Sequence, residues 1–258
     1  MTECTDSTAR DEAVAAFHDA FGRLTARIPG AYTRHGASGT RLVYTTFPAA
    51  TLNTVCTDHE LELGEVEKFA AELARTGLPW SIQVRGGDVD PAVRQVAGRY
   101  RLTGEVSLPL LIWDARSLPG ALSPSATVRK VSGAESGEFA TALAAGFGMP
   151  QEVANRLALP ALLEAPGMSA YVLDLHGEAV ATGFNILVGG HVGMFNGSVA
   201  PQHRGRGHYR TLVTARLRNA VASGARHAFA QTTPASRPLY ESLGFRLAET
   251  WTYLTSAG

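Results

Sequence analysis

The sequence predicts an α/β (α+β) protein: mixed, mostly antiparallel central sheets flanked by helices, with two such domains in tandem. Three observations lead there. Helix-like and strand-like patterns alternate along all 258 residues. The second half reads as an antiparallel meander followed by a strand–helix–strand unit. The first half repeats the order strand, helix, strand, helix, strand. A content of 45% hydrophobic and 18% charged residues is that of a folded globular chain, neither disordered nor membrane-embedded. The length suits one large domain or two of ordinary size.

Taken in order, the N-terminal Met-Thr-Glu-Cys-Thr-Asp-Ser lacks a basic-then-apolar leader pattern and reads as a loose tail. Phe17, Phe21, Leu24 and Ile28 form a helical stripe that ends at Pro29-Gly30. Arg41–Phe47 and Thr51–Cys56 are strand-like, and Val66, Phe69, Ala70 and Leu73 make a second helix face. Trp80–Val84 reads as a strand, Pro91–Tyr100 as a helix and Val106–Trp113 as a strand. Arg116–Ser125, with Pro119-Gly120 and Ser123-Pro124, is the expected linker between a domain over 1–115 and one over 126–258.

In the second half, Ala126–Val131 is a short strand, and Ala134–Phe147 and Gln151–Glu164 are helical, with Pro160 kinking or splitting the latter. Ala170–Leu175, Ala179–Val188 and His191–Val199 are strands joined by His176-Gly-Glu178 and Gly189-Gly190. A helix from about Tyr209 to Gly224 buries Val213, Leu217, Ala220 and Val221. His227–Thr232, Arg237–Leu243 and Phe245–Leu254 follow as strand, short helix and closing strand.

Chemistry concentrates between the third of those strands and the helix, in Val199-Ala-Pro-Gln-His-Arg-Gly-Arg-Gly-His-Tyr-Arg210. A glycine-rich turn that opens a helix is an anion site, because the first-turn N–H groups have no intrahelical partner and sit at the positive end of the dipole. Gly205 and Gly207 leave room for a backbone to wrap a phosphate, and Arg204 and Arg206 add charge. Between Glu178 and Glu241 there is no Asp or Glu but there are seven Arg, so in a chain of 23 basic and 23 acidic residues the remainder carries −7. Such localisation points to one anionic ligand, not to nucleic acid or a membrane surface. A P-loop fails because His208 and Tyr209, not Lys and Ser/Thr, follow the last glycine. A dinucleotide loop fails because Arg210 stands at the third glycine and no acid follows until Glu241.

The run Gln202-His-Arg-Gly-Arg-Gly207 resembles the Gln/Arg-x-x-Gly-x-Gly/Ala signature of the GNAT superfamily of N-acetyltransferases. Downstream, Arg237-Pro-Leu-Tyr-Glu-Ser-Leu-Gly-Phe245 is similar to that family's closing Leu-Tyr-x-x-Leu-Gly-Phe motif. The resemblance covers roughly Thr127 to the C-terminus. It departs at Tyr209, where many members carry a small residue.

That resemblance implies a GNAT fold and acetyl-CoA as co-substrate. Pyrophosphate contacts would come from Arg204, Gly205, Arg206, Gly207, His208, Tyr209 and Arg210, and pantetheine contacts from Ser198 and Val199, with Ala200 and Thr233 also counted as cofactor-binding. Tyr240 takes the family's general-acid position. A phenol stays protonated at neutral pH and can reprotonate a departing thiolate. No base is readable; His191, Asn196, Glu152, Glu164, Asp174 and Glu249 are candidates. The expected acceptor is the primary amine of a small molecule, an amino-acid derivative or an amine-bearing antibiotic or metabolite, attacking directly in a ternary complex. An N-terminal acetyltransferase of proteins or peptides and a non-catalytic acyl-CoA-binding sensor remain the alternatives. The first half would be a degenerate GNAT-like or accessory domain, since acidic Thr57-Asp-His-Glu60 stands where its glycine loop would be. Two cysteines, Cys4 and Cys56, and scattered His give no metal cluster. The chain is expected to be cytoplasmic, a monomer or homodimer, without nucleic-acid or membrane partners.

Overall fold

The computed structural model describes residues 2–118 and 127–256. In chain order they form α1 (Thr2–Thr25), β1 (Tyr32–His35), β2 (Arg41–Tyr44), β3 (Thr54–Cys56), α2 (Leu63–Ala74), β4 (Ser81–Arg85), α3 (Pro91–Arg99) and β5 (Gly104–Asp114). Then come β6 (Thr127–Val131), α4 (Ser136–Phe147), α5 (Gln151–Leu157), α6 (Pro160–Leu163), β7 (Met168–Leu175), β8 (Glu178–Val188) and β9 (His191–Val199). α7 (His208–Ala222), β10 (His227–Gln231), α8 (Arg237–Ser242) and β11 (Arg246–Thr255) complete the order. Among the described residues no helix is long and apolar enough to cross a membrane.

The chain divides into two compact units that interleave along the sequence. A larger unit holds the chain up to Ala20 together with Leu111–Arg246, and a smaller unit holds Phe21–Leu110 and the chain from Leu247 on. Most of the proposed linker, from residue 119 to 125, lies outside the described residues; Arg116 and Ser117 belong to a short 3₁₀ turn.

In the larger unit β6, β7, β8 and β9 form an antiparallel meander, and β10 lies parallel to β9 with α7 as the crossover. The hairpins are tight for a local reason. His176 and Gly177 (φ 54° and 86°), and Gly189 and Gly190 (φ 52° and 82°), both place two consecutive residues in the left-handed region. That is the two-residue turn whose twist matches the flanking strands. Pro160 splits the expected second helix into α5 and α6, since its ring and missing N–H cannot continue the first.

In the smaller unit β1, β2 and β3 are antiparallel, β3 and β4 are parallel across α2, and β11 pairs antiparallel with β4. Val66, Phe69, Ala70 and Leu73 are buried on α2, as their spacing predicts, against Leu42, Val55 and Ile82. β1 escaped the sequence reading because Tyr32-Thr-Arg-His35 shows no buried alternation. The expected N-terminal tail is instead the first part of α1, and Cys4 lies within that helix. Ala, Glu and Arg in Ala9–Ala16 favour helix, a signal outweighed in the reading by terminal position. Cys56 is a free, buried thiol that burial pushes up to about 12.

Asn53 organises the turn before β3. Its Oδ1 accepts from the Thr45 N–H (3.0 Å) and hydroxyl (3.2 Å), and its Nδ2 donates to the carbonyls of Phe47 (2.7 Å) and Pro79 (2.9 Å). The side chain is fully buried, so Asn53→Ala strands several polar groups at once. We expect a loss of about 3 kcal/mol, read as a lowered thermal midpoint; an unchanged midpoint would contradict this account of the turn.

Candidate functional site

β9 keeps company with β10 only at its start, where His191, Val192 and Gly193 face His227, Ala228 and Phe229. On its other side β9 follows β8 until Asn196 and Gly197 together oppose Gly183: Phe195 pairs with Phe184, and Ser198 with Thr182. Two residues against one make a β-bulge, which bends and twists the strand that carries it. Asn196 takes the extra turn at φ 49°. The Thr182 hydroxyl bonds the Asn196 carbonyl (3.1 Å) and the Ser198 hydroxyl (2.8 Å). Beyond the bulge lies an open cleft of about 600 Å³, walled by Ser198 and Val199, the loop before α7, and Thr233 and Leu239.

Gly205 (φ 73°) and Gly207 (φ 81°) carry that loop through the left-handed region into α7. A Cβ at either would meet nothing within 4 Å, so the backbone there faces open space. The first helical bond runs from Thr211 N–H to Gly207 C=O (3.1 Å). The N–H groups of His208, Tyr209 and Arg210 therefore belong to the unpaired first turn. His203 Nδ1 and His208 Nε2, on the same wall, are buried without a hydrogen-bond partner. Arg204 is engaged within the protein: Nε donates to the Val199 carbonyl (3.0 Å) and Nη2 to the Gly146 carbonyl (2.8 Å). It thus ties the loop to the end of β9 and to α4. Gly146 must be glycine, since a Cβ there would stand 2.1 Å from Ser198 Oγ. Arg210 donates to Ser242 Oγ (2.6 Å).

Tyr209 turns inward from the helix entrance. Its hydroxyl meets the Tyr240 hydroxyl at 2.9 Å and fills the space a Cβ on Gly197 would need. Burial, then the neighbouring Tyr240, pushes the Tyr209 phenol well above its usual range, so it is a protonated phenol at neutral pH. Tyr240 is itself buried, edge-on to Phe245 at 5.0 Å. Its helix is held by Trp113, whose Nε1 donates to the Leu243 carbonyl (3.1 Å) and whose ring stacks on Phe245.

Below this pair lies Arg216, with no exposed surface. Nε donates to Asn185 Oδ1 (2.9 Å), and Nη2 donates to the carbonyls of Phe184 (2.7 Å) and Phe195 (3.1 Å), the two residues flanking the bulge. Nη1 has no hydrogen-bond partner. A Cβ on Gly183 would fall 2.4 Å from it. Burial pushes the guanidinium below its ordinary range.

The sequence-predicted residues divide accordingly. Ser198, Val199, Arg204, Gly205, Gly207, His208, Tyr209, Arg210 and Thr233 line the cleft. Arg206 is exposed at the loop tip, outside the lining. Ala200 is buried behind it, its N–H bonded to the Val180 carbonyl (2.9 Å). Tyr240 touches the cleft wall through Tyr209. Phe147 is half exposed on the cleft, at the end of α4. Of the candidate bases, none lines the cleft. His191 sits at the opposite end of β9, in a separate pocket of about 190 Å³, its ring 5.0 Å from His227. Asp174 pairs with Arg129 and Glu249 with Arg85, and Glu164 accepts from the Gly133 N–H. Arg216, Gly183, Gly197 and Thr182 escaped the reading. A single Arg at Val213 + 3, inside an apolar stripe, was the available signal.

Residues 141–245 match the model of the family described as "Acetyltransferase (GNAT) family". Among solved structures, a GCN5-related N-acetyltransferase from Kribbella flavida superposes with a TM-score of 0.67 at 19% identity, covering 97% of this chain and 96% of that one. A tandem GNAT protein from the clavulanic acid biosynthesis pathway gives 0.57 at 13% identity, covering 95% and 94%. A GCN5-related N-acetyltransferase from Sphaerobacter thermophilus gives 0.58 at 13%, covering 96% and 90%. At such identities these likenesses establish a common fold. Among curated protein sequences none matches. Residues 141–245 thus carry a match to the GNAT acetyltransferase family, and over nearly its whole length the chain has the fold of solved GCN5-related N-acetyltransferases, a tandem GNAT protein among them.

Proposed function

We propose that the protein is an acetyl-CoA-dependent N-acetyltransferase that acetylates the primary amine of a small molecule, an amino-acid derivative or an amine-bearing antibiotic or metabolite, in a ternary complex. One observation carries the reading. A glycine-built helix N-terminus, the diverging end of a bulged strand and a buried phenol pair converge on a single cleft. The residues present fit CoA. Open space over Gly205 and Gly207, the unpaired first turn of α7 and two unpartnered imidazole nitrogens form a concave donor surface for a pyrophosphate. Arg206 and Arg210 supply charge at its rim, and Arg204 holds its shape. Ser198 and Val199 offer the diverged strand edge to the amides of an extended pantetheine.

In the transfer, the amine nitrogen attacks the thioester carbonyl, the C–N bond forms and the C–S bond breaks. The departing sulfur takes a proton from the phenol system that includes Tyr240, and the new amide nitrogen gives up one to solvent. With no carboxylate among the described residues that line the cleft, the amine arrives neutral or loses its proton to water. Phe147 presents an apolar face for a compact acceptor.

We assign this chemistry to the larger unit and an accessory role to the smaller. The smaller unit repeats the order β9–α7–β10 as β3–α2–β4, but its loop cannot take an anion. Glu62 caps α2 by accepting from the Gly64 N–H (3.2 Å), and Asp58 pairs with Arg85 (2.9 Å). Carboxylates already occupy the place of a phosphate.

Titration calorimetry with acetyl-CoA tests the site: the wild-type chain binds, and Gly205→Glu, which puts an anion into the cradle, does not. Equal binding by both would remove the pyrophosphate from this loop. For the acid, Tyr240→Phe is expected to lower kcat by about a hundredfold with little change in the KM for acetyl-CoA. Wild-type kcat in that variant would remove Tyr240 from the reaction.

A further inference from the structure

Tyr240 does not face the cleft alone; the ring that lines the cleft is Tyr209, whose hydroxyl lies 2.9 Å from that of Tyr240. Glycine at 197 is required to admit this hydroxyl, because a Cβ would overlap it. Glycine at 183, opposite the bulge, is required to admit Arg216 in the same way. Tyr209 and Arg216 stand seven residues apart on α7, on one face of the helix. The sheet is thus cut away at two facing positions, one admitting a phenol and the other a guanidinium.

The guanidinium is unusual in its company. Among the described residues no carboxylate pairs with it, and the titratable groups that face it are Tyr240 and Tyr209 above and Tyr171 from β7. Two of its nitrogens are spent on Asn185 and the bulge carbonyls, and the third, Nη1, is unpartnered although buried. A buried cation left uncompensated is costly to keep. It becomes favourable whenever negative charge develops beside it in the same low-dielectric space.

We propose that Tyr209 and Tyr240 act as one two-phenol proton donor, and that Arg216 is its positioning residue, the buried cation that stabilises the phenolate left when the proton passes to the departing sulfur. The step balances. The C–S bond gives its electron pair to sulfur, and sulfur takes the proton from the nearer phenol. The second phenol shares its hydrogen bond with the resulting phenolate, and a proton from solvent restores the pair after the thiol leaves. This rests on the acyl-transfer reading above.

Two measurements test it. The first needs no substrate. Difluorotyrosine, a more acidic phenol, is placed at position 209 of the full chain and its phenolate absorbance is titrated. Arg216→Gln is expected to raise the ionisation midpoint by about one pH unit or more, and Tyr240→Phe to raise it by removal of the hydrogen bond to the anion. Midpoints unchanged in both overturn the proposal. The second is kinetic: Tyr209→Phe, which removes only a hydroxyl, is expected to lower kcat at least tenfold at unchanged KM for acetyl-CoA and to flatten the alkaline limb of the kcat–pH profile. A wild-type kcat and profile in Tyr209→Phe overturn the proposal even if Arg216→Gln does not fold. A wild-type chain that fails to bind acetyl-CoA overturns the acyl-transfer reading and this one together, whereas normal wild-type turnover with either negative result overturns this one alone.

Discussion

The larger unit turns on how a cation is kept inside it. Arg216 is fully buried on α7, and its hydrogen bonds run to backbone carbonyls and an amide, with no acid among the described residues to balance it. Those carbonyls belong to Phe184 and Phe195, the last regularly paired residues before the bulge. A bulge frees backbone groups from the ladder, and freed groups must find partners when buried. Arg216 is one such partner, and it binds the strands where the bulge begins. One nitrogen of the guanidinium, Nη2, thus bridges the two strands at the residues that flank the bulge.

From this pair the cleft follows. The bulge sets the direction in which β9 leaves β10, so Ser198 and Val199 end on an open edge. Arg204 then ties that edge to the loop through Val199 and to α4 through Gly146, so the two walls of the cleft share one anchor. The glycines divide by function. Gly205 and Gly207 are needed for positive φ and for an open face. Gly146, Gly183 and Gly197 are needed because Ser198, Arg216 and Tyr209 occupy the space of a Cβ. The first kind shapes a surface for a ligand, and the second lets the scaffold close behind it.

This division also explains what could be read in the sequence. The strand and helix order was legible because hydrophobic periodicity and Gly/Pro punctuation are local signals; β9 was found to the residue, and the split at Pro160 followed from ring sterics. The anion loop was legible because its glycines and charges are contiguous. The arginine count misled in part. An acid-free run suggested a ligand-facing surface, yet Arg204 and Arg216 serve the protein's own carbonyls and Arg237 pairs with Glu241 (2.7 Å). Which arginine points inward depends on the bulge, a register feature that no window of sequence displays. The partnership of Tyr209 with Tyr240, 31 residues apart, was illegible for the same reason. It needs a glycine, Gly197, on the neighbouring strand β9 to make room. β11 reads as the closing strand of the second half but pairs with β4 of the smaller unit, because pairing partners are set by tertiary contacts and not by sequence order.

The two units hold a controlled comparison within one molecule. Each contains a strand, a crossover helix and a parallel strand, and in each the helix N-terminus presents its unpaired N–H groups to the loop before it. In the larger unit glycines leave that terminus vacant of side chains and no acid lies within the whole segment from 179 to 240. In the smaller unit Glu62 supplies the anion from the chain itself, and Asp58 is held by Arg85, which also bonds Glu249 (2.9 Å) on β11. The fold provides the positive end of a helix in both cases. What separates a ligand site from a self-satisfied cap is whether the loop brings its own carboxylate, and that is decided by a handful of side chains over a common backbone plan.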